Sequence, residues 1–144
     1  MLRREFVERK LQLIVEELGR LTEFRDISYE QLIGDPVRQA AIERMLERVI
    51  LLAIDVNEHL IAALASGAEH KTTRLTYRDT FLKLADHGVY PSEFAERIAA
   101  SAGLRDILVH EYNDIDHRIL HGSIRSALED YTRYVELVHG FVTA

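Results

Sequence analysis

Residues 35–67 read DPVRQAAIERMLERVILLAIDVNEHLIAALASG, and this stretch decides the fold class. Asp35-Pro36 is a helix start: a side chain able to cap free backbone N–H groups, then a proline at the first helical position, where no N–H is needed. From there Ala40, Ala41, Met45, Val49, Leu52, Ala53, Val56, Leu60, Ala63 and Leu64 recur at helical spacing, and the pattern stops near Gly67. At 1.5 Å per residue this predicts one helix of about 45 Å, the longest in the chain.

The neighbouring segments carry the same period. Leu2, Phe6, Val7, Leu11, Ile14, Leu18 and Leu21 form one apolar stripe, which predicts a helix running to about Phe24. After a turn over Asp26-Ile27-Ser28-Tyr29, a short helix is expected from Tyr29 to Ile33, closed by Gly34. Residues 68–75 are polar and form the longest expected loop. Thr76-Tyr77-Arg78-Asp79 matches a capping box with Asp in place of Glu, opening a helix that carries Phe81, Leu82 and Leu84 and closes at Gly88. Pro91 opens the next helix, with Phe94, Ala95 and Ile98 inward, expected to end near Gly103 before a separate compact segment, Leu104 to Tyr112. Asn113 to Asp116 reads as a turn ending in a cap. The last helix then presents Leu120, Ile124, Ala127, Leu128, Tyr131, Val135, Val138 and Val142 on one side. No segment has a strand's two-residue alternation. The expected architecture is an all-α, up-and-down bundle of four to six helices within a single domain, residues 1–144.

Composition narrows the function. The 144 residues are 47% hydrophobic and 29% charged, as expected of a globular protein. With no cysteine there is no disulfide framework, thiolate metal site or cysteine nucleophile. The formal net charge is -6, so any binding of nucleic acid must rest on a local patch. The longest apolar run, Val49 to Ile54, is far too short to cross a bilayer, and the start lacks the apolar stretch of a signal peptide. A cytoplasmic location is expected.

Chemistry concentrates in Gly103-Leu104-Arg105-Asp106-Ile107-Leu108-Val109-His110-Glu111-Tyr112. Within eight residues it supplies a permanent cation, a group that titrates near neutrality and a phenol. Read alone, Arg105 is also compatible with a surface ion pair to Asp106 or Glu111, His110 with a helix-end histidine, and Tyr112 with a half-buried aromatic. On a regular helix, positions five apart stand about 140° from one another. Arg105 and His110 therefore meet only if the helix ends before His110, if the long arginine wraps across, or if a second chain completes the pocket.

Arg105, four residues, His110, one residue, Tyr112 resembles the RX4HXY motif of the HepT-like branch of HEPN domains, the toxins of HepT–MntA toxin–antitoxin systems. The long central helix, the Gly103-Leu104 lead-in and the final amphipathic helix resemble that family in order and length. Asp106 stands where that branch more often has Asn. The resemblance implies a metal-independent endoribonuclease with no cofactor, acting on RNA, with transfer RNA as a family-level substrate. It implies a homodimer that brings two arginines and two histidines to one axis. Arg105 would stabilise phosphate charge, His110 would move protons and Asp106 would orient one of the partners. It also implies a partner nucleotidyltransferase of the MntA kind that places AMP on Tyr112, where added bulk and negative charge would repel RNA.

Other readings stay open beside it. The acidic net charge suits a non-enzymatic module that binds a nucleotide or serves as companion subunit of a nucleotidyltransferase. Lys71, Arg74 and Arg78 form the most basic local stretch, where Tyr77 could stack on a base. His117 and His121 have a metal-capable spacing without a visible third ligand, so a solvated face is the expectation. Asp55 and His59, four apart on the long helix, are expected either to bond each other or to support the active site.

Overall fold

A computed structural model describes residues 1–65, 75–110 and 116–144, with residues 109 and 110 described by their backbone alone. The expected loop over 68–75 lies, but for Leu75, outside the described residues. Within them the chain is all helical: α1 (Arg4–Leu21), α2 (Tyr29–Ile33), α3 (Pro36–Leu64), α4 (Tyr77–Asp86), α5 (Ser92–His110) and α6 (His117–Thr143).

The capping signals act as their chemistry predicts. Asp35 Oδ1 accepts from the backbone N–H groups of Val37 and Arg38, each at 3.1 Å. Thr76 Oγ1 accepts from Asp79 N at 3.1 Å while Asp79 Oδ2 accepts from Thr76 N at 3.3 Å, so Asp completes the box as Glu would. Asp116 caps α6 by accepting from Arg118 N. A second capping box, Ser28 with Gln31, starts α2.

α3 is the central element, against which α1, α2, α4, α5 and α6 all pack. That role explains why its burial exceeds the single stripe read from sequence. Besides Val49, Leu52, Ala53, Val56 and Leu60, it buries Ile42, Leu46, Ile50, Ile54 and Asn57. A helix surrounded by neighbours is apolar on several faces. The buried side chains form one core, closed at α6 by Tyr131 and Tyr134 against Phe81 of α4.

Two boundaries differ from expectation. α1 stops at Leu21 and a 3-10 turn covers Thr22–Phe24, where the Thr22 hydroxyl donates back to Leu18 O. More consequentially, α5 runs without a break from Ser92 through Gly103 to His110, so the separate segment from Leu104 is in fact the second half of one helix. A glycine ends a helix when it supplies a left-handed residue. Among the described residues only Gly88 has positive φ, at 77°. Gly103 keeps ordinary helical geometry and merely costs propensity.

Candidate active site

Arg105 and Asp106 lie in the C-terminal half of α5, beside the start of α4. The two differ sharply in setting. The Asp106 side chain is 64% exposed, whereas that of Arg105 is 18% exposed. Arg105 Cζ stands 5.1 Å over the ring centroid of Tyr77, the first residue of α4. Its Nη1 is 3.5 Å from Asp106 Oδ1, a long ion-pair contact. Its Nε is buried with no hydrogen-bond partner among the described residues. A guanidinium stays charged at any physiological pH. Arg105 is therefore a cation removed from most of its water, held by an aromatic face and one distant carboxylate. The surface ion pair expected with Asp106 is present, but it does not describe the site.

An open cleft of about 410 Å³ lies where α4 begins, lined by Leu75, Thr76, Tyr77, Arg78, Ala102, Gly103 and Asp106. It brings Arg78 and Asp106, 28 positions apart in the chain, to one surface. A second groove of about 530 Å³ runs between α3, α5 and α6, walled by Leu46, Ile50, Leu104, Ile107 and Ile119. Asp130 lines its polar end, with Arg97 Nε 2.7 Å away, and burial raises the Asp130 carboxyl above its ordinary range against the pull of that arginine.

The backbone of His110 ends α5, on the same unbroken helix as Arg105. Of the three ways the pair could meet, an early helix end is thereby removed. Tyr112 and Glu111 lie outside the described residues, as do Lys71 and Arg74; Arg78 is exposed on the first turn of α4.

The remaining candidates turn out to be structural. Asp55 and His59 do not bond each other. Asp55 Oδ2 pairs with Lys10 Nζ at 3.0 Å, and His59 Nε2 accepts from Arg3 N at 3.0 Å with its ring 4.8 Å from Phe6. Both tie α3 to α1 and its lead-in, so the mutual pair, one of the two readings left open, is replaced by two links between elements. Burial, then the positive charges of Arg3 and the N-terminus, lowers the His59 pKa. The expectation of a solvated face also fails for His117 and His121. His117 Nε2 bonds Gln39 Oε1 at 2.9 Å, and His121 Nε2 bonds Ile27 O at 2.7 Å, fastening α6 to α3 and to the turn before α2. A histidine on a long helix fills a neighbour's polar vacancy as readily as it faces water. No cluster of three or more metal-ligating side chains occurs among the described residues.

Residues 14–138 match the family model described as Ribonuclease HepT-like. The chain belongs to the ribonuclease HepT-like family. A relative from Aphanizomenon flos-aquae, named tRNA nuclease HepT, is 34% identical over 94% of this chain and 89% of its own length. A second, the mRNA nuclease HepT of Shewanella oneidensis, is 24% identical over 75% of this chain and 77% of its own. The helical arrangement is that of the tri-AMPylated Shewanella oneidensis HEPN toxin solved in complex with MNT antitoxin. That comparison has a TM-score of 0.79 at 20% identity, over 94% of this chain and 97% of the toxin. The HepT-like fold expected from the motif is therefore the fold observed.

The sequence reading did not pair Tyr77 with Arg105. The two are 28 positions apart, and no periodicity links a capping-box aromatic to a motif arginine.

Proposed function

We propose that this HepT-like chain is an endoribonuclease toxin that cleaves RNA, with transfer RNA as substrate, and that a nucleotidyltransferase antitoxin silences it by placing AMP on Tyr112. The observation that carries the reading is Arg105: a cation largely stripped of water, five positions before His110 on one continuous helix, in a chain of a ribonuclease family.

In the proposed reaction the RNA supplies its own nucleophile. One His110 takes the proton from the ribose 2′-hydroxyl as its oxygen attacks phosphorus. The bond from phosphorus to the 5′-oxygen breaks, the same His110 gives that oxygen the proton it took, and the products are a 2′,3′-cyclic phosphate and a 5′-hydroxyl. Arg105 stabilises the negative charge that builds on the phosphorane oxygens. Asp106, 3.5 Å from the guanidinium, limits its rotation. Arg78, exposed on the first turn of α4, holds flanking RNA.

Two protomers complete the site. On a helix unbroken to His110, positions 105 and 110 stand about 140° apart, so Arg105 of one copy works with His110 of the other. The apolar groove supports this pairing: it borders the motif at Gly103, Leu104 and Ile107, and Ile119 on its wall is 47% exposed. No helix among the described residues is long and apolar enough to cross a membrane.

The test is cleavage of bulk tRNA in the presence of EDTA by wild type, Arg105→Ala and His110→Ala. Each substitution should lower the rate about 100-fold or more. Equal cleavage by all three would remove these residues from the mechanism. Co-production with a nucleotidyltransferase antitoxin should add one or more AMP units to the intact mass, mapped to Tyr112. If cleavage is absent in every preparation while ATP binds tightly, the chain is instead a non-catalytic companion subunit.

A further inference from the structure

The hydrogen bonds behind Tyr77 run continuously from the core. Thr80 Oγ1 donates to the Tyr77 carbonyl at 2.7 Å and accepts from Asn57 Nδ2 at 3.1 Å. Asn57 Oδ1 in turn accepts from the Tyr134 hydroxyl. Asn57, Thr80 and Tyr134 are all buried. The first residue of α4 is thereby fixed to α3 and α6, and its ring meets the guanidinium of Arg105.

The chemistry of that partner matters. A carboxylate in its place would occupy two of the five N–H donors and neutralise the charge. An aromatic face attracts a cation through its quadrupole and takes no donor. The only other contact of the guanidinium that the structure gives is the long one to Asp106, and Nε is unpartnered among the described residues. Toward the described residues Arg105 is thus oriented with its hydrogen-bonding capacity largely unspent, the state a phosphate-binding arginine requires.

From this we infer that Tyr77 is the positioning residue for Arg105: its ring holds the guanidinium in the orientation that meets the scissile phosphate, without contacting the RNA itself. The inference rests on the nuclease reading above.

The experiment measures single-turnover cleavage of bulk tRNA in EDTA, and affinity for the same tRNA, in wild type, Tyr77→Phe, Tyr77→Leu, Arg105→Ala and the Tyr77→Leu/Arg105→Ala double variant. Thermal unfolding of each serves as the folding control. Tyr77→Phe, which keeps the ring, should stay within about twofold of wild type. Tyr77→Leu should lose about tenfold in the cleavage rate, with a smaller change in affinity. The double variant should be no worse than Arg105→Ala alone. Wild-type cleavage by Tyr77→Leu, or equal damage in Tyr77→Phe, would overturn the role assigned to the ring. So would a loss of RNA affinity on adding Tyr77→Leu to Arg105→Ala, since the ring would then touch RNA directly. Unimpaired cleavage by Arg105→Ala would overturn the nuclease assignment of that arginine, and the positioning role with it.

Discussion

The Tyr134 hydroxyl of α6 meets Asn57 Oδ1 of α3 at 2.5 Å, deep in the core. Ala53 O lies 3.1 Å from the same hydroxyl, and a phenol has one proton to give. Burial raises the Tyr134 pKa well above its ordinary value, so the group is a neutral donor at any working pH. Asn57 is a fully buried polar side chain on an otherwise apolar face, and every bond it makes reaches another helix. Asn57→Ala leaves a cavity and weakens a three-member chain. It should destabilise the fold by about 2–4 kcal/mol in urea unfolding. Because the chain ends at the Tyr77 carbonyl, the folded variant should also cleave more slowly. Unchanged stability would mean that the network carries no net energy.

Gly103 makes the opposite prediction. It sits inside α5 with helical geometry, and a Cβ built there meets nothing within 4 Å. Alanine should fit without strain and restrict the unfolded chain. Gly103→Ala should stabilise the protein by about 0.5–1 kcal/mol, a rise of roughly 2–4 °C in Tm for a chain of this size. A fall in Tm would show that α5 is not continuous through this position.

The Gly103 boundary also shows where sequence reading stops. The starts of α3, α4 and α6 were legible because a cap is local chemistry: Asp35-Pro36, Thr76 with Asp79, and Asp116 sit beside the N–H groups they satisfy. A helix that continues through a glycine is decided by packing and φ, neither visible in a pattern of letters. The full burial of α3 was hidden for the same reason. Its stripe at Val49, Ala53, Val56 and Leu60 was readable, but Ile42, Leu46, Ile50 and Ile54 are buried only because other helices cover them. The motif itself was legible through family resemblance, and Arg105 stands in a setting that needs explanation. Its partner Tyr77 was not, since contact between α4 and α5 is tertiary. Asp55 and His59 were open to a mutual pair and His117 and His121 were expected to face solvent, yet each of the four side chains bonds an element other than its own.

His59 predicts a pH dependence with a defined sign. Burial first, then Arg3 and the N-terminal charge, lowers its pKa from 6.5. The folded state therefore favours the neutral ring, whose Nε2 accepts from Arg3 N. A histidine with a depressed folded pKa contributes stability above its unfolded value, and that contribution fades as pH falls through the folded one. His59→Gln keeps an acceptor but cannot titrate. The Tm advantage of wild type over this variant should be larger at about pH 7.5 than at about pH 5.5. An equal or larger gap in acid would show that protonation is not resisted at this position.

The sharpest test of the composite site uses two inactive proteins. If Arg105 and His110 serve the same phosphate from different protomers, Arg105→Ala and His110→Ala fail for complementary reasons. In a mixed dimer one site lacks both groups, while the other receives Arg105 from the His110→Ala chain and His110 from the Arg105→Ala chain. Random pairing at equal amounts makes half the dimers mixed, each with one of two sites restored, so about one quarter of wild-type activity should return. Mixing after brief partial denaturation, with tRNA cleavage in EDTA as readout, measures this directly. Should mixed dimers form but stay as inactive as either parent, the two groups act within one chain. The arginine would then have to reach around α5, and the uncommitted guanidinium beside Tyr77 would describe a resting position that moves when RNA binds.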